Sequence, residues 1–251
     1  MRIVAAGSVV ILMVLAIFLV RPAPLAELDS RACDLLARWA GPGTQSGRVV
    51  VVEIDEKSLD RFGRWPWPRD LVARLTRNIL EQGAATVALD VMFPQEDNVN
   101  DEVLADGISG KPVVVGYALS FDGGGAPALS CPVQSLPLAV ARPGKPGEAA
   151  FFRATGAVCN APAISAAASS TGFLNAVPDR DGTVRHVPLV IEYGDRYYAS
   201  LALAALNLYR HVSTMQLAVE PYGGGRLRLD RQVRSSWRSA GSSQPDPSHW
   251  T

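Results

Sequence analysis

Residues 69–93, RDLVARLTRNILEQGAATVALDVMF, change their hydrophobic period across a single glycine. Before Gly83, the residues Leu71, Val72, Leu75, Ile79 and Leu80 recur at helical spacing, which predicts a helix over Arg69–Gln82. Pro68 sits at its first turn, where a missing N–H costs nothing. Gly83 stands where a helix C-terminus takes a left-handed residue. After it, Thr86–Phe93 (TVALDVMF) predicts a strand. Upstream, Val49–Asp55 (VVVVEID) is a β-branched run of the length of a buried strand. Strand, helix and strand in this order predict a parallel, right-handed β-α-β unit. The fold class that follows is α/β, with a mixed sheet.

Outward from that unit, Val113–Leu119 (VVVGYAL) predicts a third strand, and Phe121–Ala149 is rich in turn clusters such as FDGGGAP and RPGKPGE. Ala161–Ser170 reads as a short helix, and Gly172–Val177, Val184–Tyr193 and Arg196–Tyr198 as strands. Pro178–Gly182 and Gly194-Asp195 are turns between them. Ser200–Arg210 is a helix, and Gln216–Val219 with Arg226–Leu229 forms a C-terminal hairpin around three glycines. After Val233 the chain turns polar and rich in Ser and Pro, so residues 234–251 read as a disordered tail.

The N-terminus has a different character. Ile3–Val20 (IVAAGSVVILMVLAIFLV) carries no charge and is just long enough for a spanning helix, placing a transmembrane anchor over residues 1–21. Arg21-Pro22-Ala23-Pro24 is a poor cleavage context, which favours an uncleaved anchor over a signal peptide. Arg2 precedes the run, whereas Arg21, Arg31 and Arg38 follow it, so charge alone would leave the large domain in the cytoplasm. Leu25–Trp39 then places Leu28, Leu35, Leu36 and Trp39 at helical spacing, an amphipathic linker helix within residues 22–47.

Composition narrows the function. Among the 251 residues, Lys+Arg and Asp+Glu both number 24, so no basic excess points to nucleic acid. The histidines His186, His211 and His249 lack metal-ligand spacing. No phosphate loop, nucleophile elbow, HExxH or kinase signature is present. These absences lead us to expect no catalytic residue, metal or cofactor.

Three motifs have two readings each. Gly63-Arg64-Trp65-Pro66-Trp67-Pro68-Arg69 brings two indoles on a stiff connection, flanked by guanidinium groups. It is either an aromatic, basic rim for a small-molecule ligand or a rigid cover over the sheet edge. Asp55 ends the first predicted strand and Asp90 lies late in the second, where a parallel sheet places its ligand crevice. They form either a ligand-binding carboxylate pair, for a cation or for acid–base work as in a membrane-tethered hydrolase, or a turn cap and an arginine partner. Pro178–Gly182 is either part of a Ca²⁺ loop or, since the ligand series is incomplete, a tight turn.

Three separated stretches, VVVVEIDEKSLDRFGRWPWPRDLVARL, GAATVALDVMFPQED and GFLNAVPDRDGTVRHVPLVIEYGDRYYASLALAAL, resemble the CHASE2 domain family in their order. Asp55, Gly63–Arg69, Asp90, Asn175, Asp179, Asp181, Gly182 and Arg185 match positions that mark it. The resemblance runs from about Arg48 to Val233. It implies an extracytoplasmic sensor of a bacterial signalling receptor, with an output such as an adenylate cyclase, kinase or diguanylate cyclase. It also implies further strands and membrane helices beyond residue 233, so residues 48–233 are expected to be an incomplete sensor domain. A truncated, non-functional fragment is the remaining alternative. Of Cys33, Cys131 and Cys159, a domain outside the cytoplasm favours a Cys131–Cys159 disulfide, the alternative being three ordinary buried thiols. Expected partners are the membrane, a second copy in a homodimer and a small-molecule ligand.

Overall fold

The computed structural model describes residues 7, 23–41, 47–122, 133–135, 138–141, 151–179, 181–219 and 225–231. The chain divides into two compact units: Met1–Gly63 with Asp179–Thr183, and Arg64–Pro178 with Val184–Thr251.

Besides Gly7, which is helical, the described residues of the first unit include the helices α1 (Ala23–Ala40) and α2 (Glu56–Phe62). The predicted linker helix is thus present as α1. Helix α2 starts where Asp55 caps it: the carboxylate accepts the Ser58 N–H at 2.9 Å and the Ser58 hydroxyl at 2.7 Å. It ends at Gly63, whose φ of 97° is open only to glycine at low cost. The predicted strand over Val49–Asp55 is not formed. Val49, Val50, Val51 and Val52 are 82%, 79%, 86% and 54% exposed and belong to no ladder. β-Branched residues favour extended backbone, but a strand also needs a neighbour to pair with, and no described residue pairs here. The turn expected at Pro178–Gly182 forms: Asp179 N–H donates to the Thr183 carbonyl at 2.9 Å, and Gly182 N–H to the Asp179 carbonyl at 2.9 Å.

The second unit opens with α3 (Arg69–Glu81), which buries Val72, Ala73 and Thr76 and stops before Gly83, at φ 96°. Strand β1 (Val87–Leu89) is three residues long, so only part of the first half of the expected Thr86–Phe93 strand is regular. Helix α4 (Asn98–Ile108) follows, unforeseen because its apolar residues Leu104, Ala105 and Ile108 make a short stripe among Asn and Asp. Strand β2 (Val113–Ser120) runs parallel to β1, with Val87 opposite Val113. The β-α-β unit therefore exists, built from β1, α4 and β2, one strand later than the sequence suggested.

Three sheets follow. In the first, β2 also pairs parallel with β6 (Ser170–Phe173), reached through α5 (Pro162–Ala167), and antiparallel with β5 (Gly156–Val158). The second sets β4 (Arg153–Ala154) parallel to β7 (Val190–Tyr193), which pairs antiparallel with β8 (Arg196–Ala199). The third is the expected hairpin, β9 (Val212–Val219) with β10 (Gly225–Arg231), joined by β3 (Leu138–Ala141) parallel to β9. Strand β3 falls inside the stretch read as loop. Gly172–Val177 and Val184–Tyr193 are strands only at Ser170–Phe173 and Val190–Tyr193, with a single bridge between Val177 and His186. Pro178 and Pro188 each remove a donor from the intervening chain.

Strand β2 is the core of this unit. Tyr117 and Leu119 pack with Ala157, Phe173, Ile191, Tyr193 and Tyr198. Val114 packs with Leu203 and Ala204 of α6 (Leu201–Arg210) and with Met215. Helix α6 crosses β6 so closely that a Cβ at Gly172 would lie 2.5 Å from the Leu201 Cα. Among the described residues no helix is long and apolar enough to cross a membrane. Ile3–Val20, apart from Gly7, and the predicted tail at 234–251 lie outside the described residues.

Candidate functional site

The motif at residues 64–69 leads into α3, and its side chains separate sharply. Arg64 and Trp65 are exposed, Trp65 by 42%. Trp67 is buried at 5% exposure, its ring 6.2 Å from that of Trp65 and tilted by 53°. The Trp65–Pro66 peptide is cis. The outer indole therefore rests on an inner one that belongs to the core, and this fixes its position by packing.

Arg69 is turned inward. Its Nε donates to Asp101 Oδ1 at 2.9 Å, and the two side chains are 14% and 3% exposed. A second nitrogen, Nη2, donates to the Gln95 carbonyl at 3.2 Å. The guanidinium carbon lies 4.5 Å from the centre of the Phe93 ring, within the range of a cation–π contact. Asp101 uses its other oxygen to accept the Asp97 N–H at 2.7 Å. One arginine thus ties the start of α3 to the start of α4. The Gly63–Arg69 motif suggested a ligand contact for it; its donors are instead spent on Asp101 and the loop before α4.

Asp90 is exposed and directly follows β1. Asp55 lies in the first unit, where its helix-capping bonds, chiefly the Ser58 hydroxyl and then the Ser58 N–H, hold its carboxyl below the ordinary value. The reason for pairing Asp55 with Asp90 was two adjacent parallel strands, and the first of these is absent. Among the described residues no three His, Cys, Asp or Glu side chains gather to hold a metal ion.

Two asparagines act at the carboxyl ends of the strands. The Asn160 amide accepts the Phe93 N–H at 2.7 Å and donates to the Gly116 carbonyl at 2.8 Å, joining the chain after β1 to β2. The Asn175 amide accepts the Leu119 N–H and donates to the Leu119 carbonyl, both at 2.7 Å, replacing a strand neighbour where β6 has ended. Asn175 was singled out with Asp179, Asp181, Gly182 and Arg185, and its role here is structural. Asn160 and Asp101 were missed; the one available clue for Asn160 was a polar amide within an apolar, small-residue stretch.

Beneath these, Tyr117 is fully buried and its hydroxyl has no hydrogen-bond partner among the described residues. Burial raises the ionisation of Tyr117, Tyr193 and Tyr198 above the usual tyrosine value, most strongly for Tyr117. A shallow depression of about 490 Å³, lined by Arg77, Leu80, Glu81, Ala84, Lys111 and Pro112, lies at the amino ends of β1 and β2, opposite the crevice expected. Cys159 is in a disulfide, Cys33 is a free exposed thiol, and Cys131 lies outside the described residues.

The profile of the CHASE2 domain matches residues 10–246, nearly the whole chain. The chain belongs to the CHASE2 domain family, a family of extracytoplasmic sensor domains. Searches of curated proteins and of solved structures gave no match.

Proposed function

We propose that this chain is the sensory module of a bacterial membrane signal-transduction receptor, tethered by Ile3–Val20 with its domain outside the cytoplasm. The match to an extracytoplasmic sensor family over residues 10–246 is the observation that carries the reading. The sensing domain has no turnover of its own. A small-molecule ligand contacts Arg64 and Trp65, while Trp67 and Arg69 hold that rim in place. Binding acts by favouring one of two conformations, which requires contacts that differ between them. The exposed outer indole on its buried partner supports this assignment, because a fixed aromatic face is a ready recognition surface.

The test is a pair of fusions after Thr251 in a bacterial host. Alkaline phosphatase, active only outside the cytoplasm, should be active on the membrane fraction, and a cytoplasm-dependent fluorescent protein should stay dark. A fluorescent fusion with inactive phosphatase would reject the orientation and the sensor reading with it.

A further inference from the structure

Helix α1 (Ala23–Ala40) exposes the large apolar side chains that are described in it: Leu28 is 61%, Leu35 52%, Leu36 63% and Trp39 79% exposed. Leu28, Ala32, Leu35 and Trp39 are spaced by four, three and four residues. That is the alternation of d and a positions in a two-helix coiled coil. We propose that this stripe is the seam of a parallel homodimer, its occupant being α1 of a second copy.

Direction and register follow from two further features. The first rests on the membrane reading above: an apolar run ending at Val20, three residues before α1, brings both copies out of one membrane side by side and pointing the same way. The second is charge. With Leu28 and Leu35 at d, Arg31 and Arg38 fall at g, and Leu36 at e. In a parallel pair each g residue faces the e residue five positions on, so the stem of Arg31 covers Leu36 of the second copy. An antiparallel pair with the same layers would set g against g, Arg31 against Arg38, and the like charges repel. At 18 residues the helix is short for an independent coiled coil. Confinement to one membrane raises the effective concentration of the second helix and offsets that. The ligand-driven shift then has a defined exit, since α1 directly follows the membrane run in sequence.

Cysteine crosslinking of the full chain in membranes tests this. In a Cys33→Ser background, single cysteines are placed at Leu28, Leu35, Ser30 and Ala37, with native Cys33 as a further outward position. Oxidation with copper phenanthroline should give several-fold more covalent dimer at Leu28→Cys and Leu35→Cys than at the three outward positions. A flat profile, or a maximum at Ser30→Cys or Ala37→Cys, in chain recovered from membranes would overturn the seam and leave the membrane reading intact. Chain absent from the membrane fraction would overturn the membrane reading, and the proposal with it.

Discussion

Arg69 illustrates how a residue can be chosen correctly and assigned a different task by its surroundings. A guanidinium beside two tryptophans is a reasonable ligand contact, but here Asp101 and the Phe93 ring engage it first. The sequence offers no sign of this partnership, because the two residues are 32 positions apart and Asp101 sits in a helix whose stripe is weak. Removing one member of a buried pair leaves the other charge uncompensated, a loss of about 3–5 kcal/mol. Arg69→Met is therefore expected to lower unfolding stability by about 3 kcal/mol in a urea titration. The double variant Arg69→Met with Asp101→Leu should recover part of that loss. If the single and double losses simply add, the pair is not coupled. Arg69→Lys should fall between, since an ammonium cannot donate along the fork directions to Asp101 and Gln95 together.

At the scale of elements, legibility follows the source of each element's stability. Helices α1, α3 and α6 were readable because their stripes are long and their ends carry Pro, Gly or Ser. The hairpin of β9 and β10 was readable from its turn glycines. Strand limits were not, because a strand's length is set by its partner. Thus Thr86–Phe93 shrinks to Val87–Leu89 opposite Val113–Val115, and VVVVEID makes no ladder at all. That exposed β-branched run is a template for pairing with other chains. Val51→Lys is expected to reduce light scattering at high protein concentration while leaving the thermal midpoint unchanged. A fall in midpoint would show that the run is buried against something in solution. Helix placement is constrained in the opposite sense at Gly172, where α6 leaves no room for a methyl group. Gly172→Ala should cost about 1–3 kcal/mol through overpacking, read from the denaturation midpoint. An unchanged midpoint would mean that α6 shifts freely on β6.

Across the whole molecule, opposite charges are equal in number, so no large net charge acts on the fold near neutrality and the buried ionisable groups dominate its pH response. The three tyrosines around β2 and the β7–β8 sheet all ionise later in the folded chain than in the unfolded one, because burial disfavours the phenolate. Below the unfolded tyrosine value of about 10 both states keep these protons, and stability is unaffected by them. Above it the unfolded chain releases protons that the folded chain retains, so the unfolded state gains and stability falls as pH rises. Steep loss is thus expected to begin above about pH 10. Tyr117→Phe isolates the deepest contribution. It removes a buried hydroxyl without a partner among the described residues, which should leave stability at pH 7 equal or up to about 1 kcal/mol higher. It should also make the alkaline slope shallower by close to one proton. Urea midpoints collected from pH 7 to pH 11 for both proteins measure the two effects together. A slope unchanged by Tyr117→Phe would mean that water reaches this hydroxyl, and that the β2 core is open enough in solution to admit it.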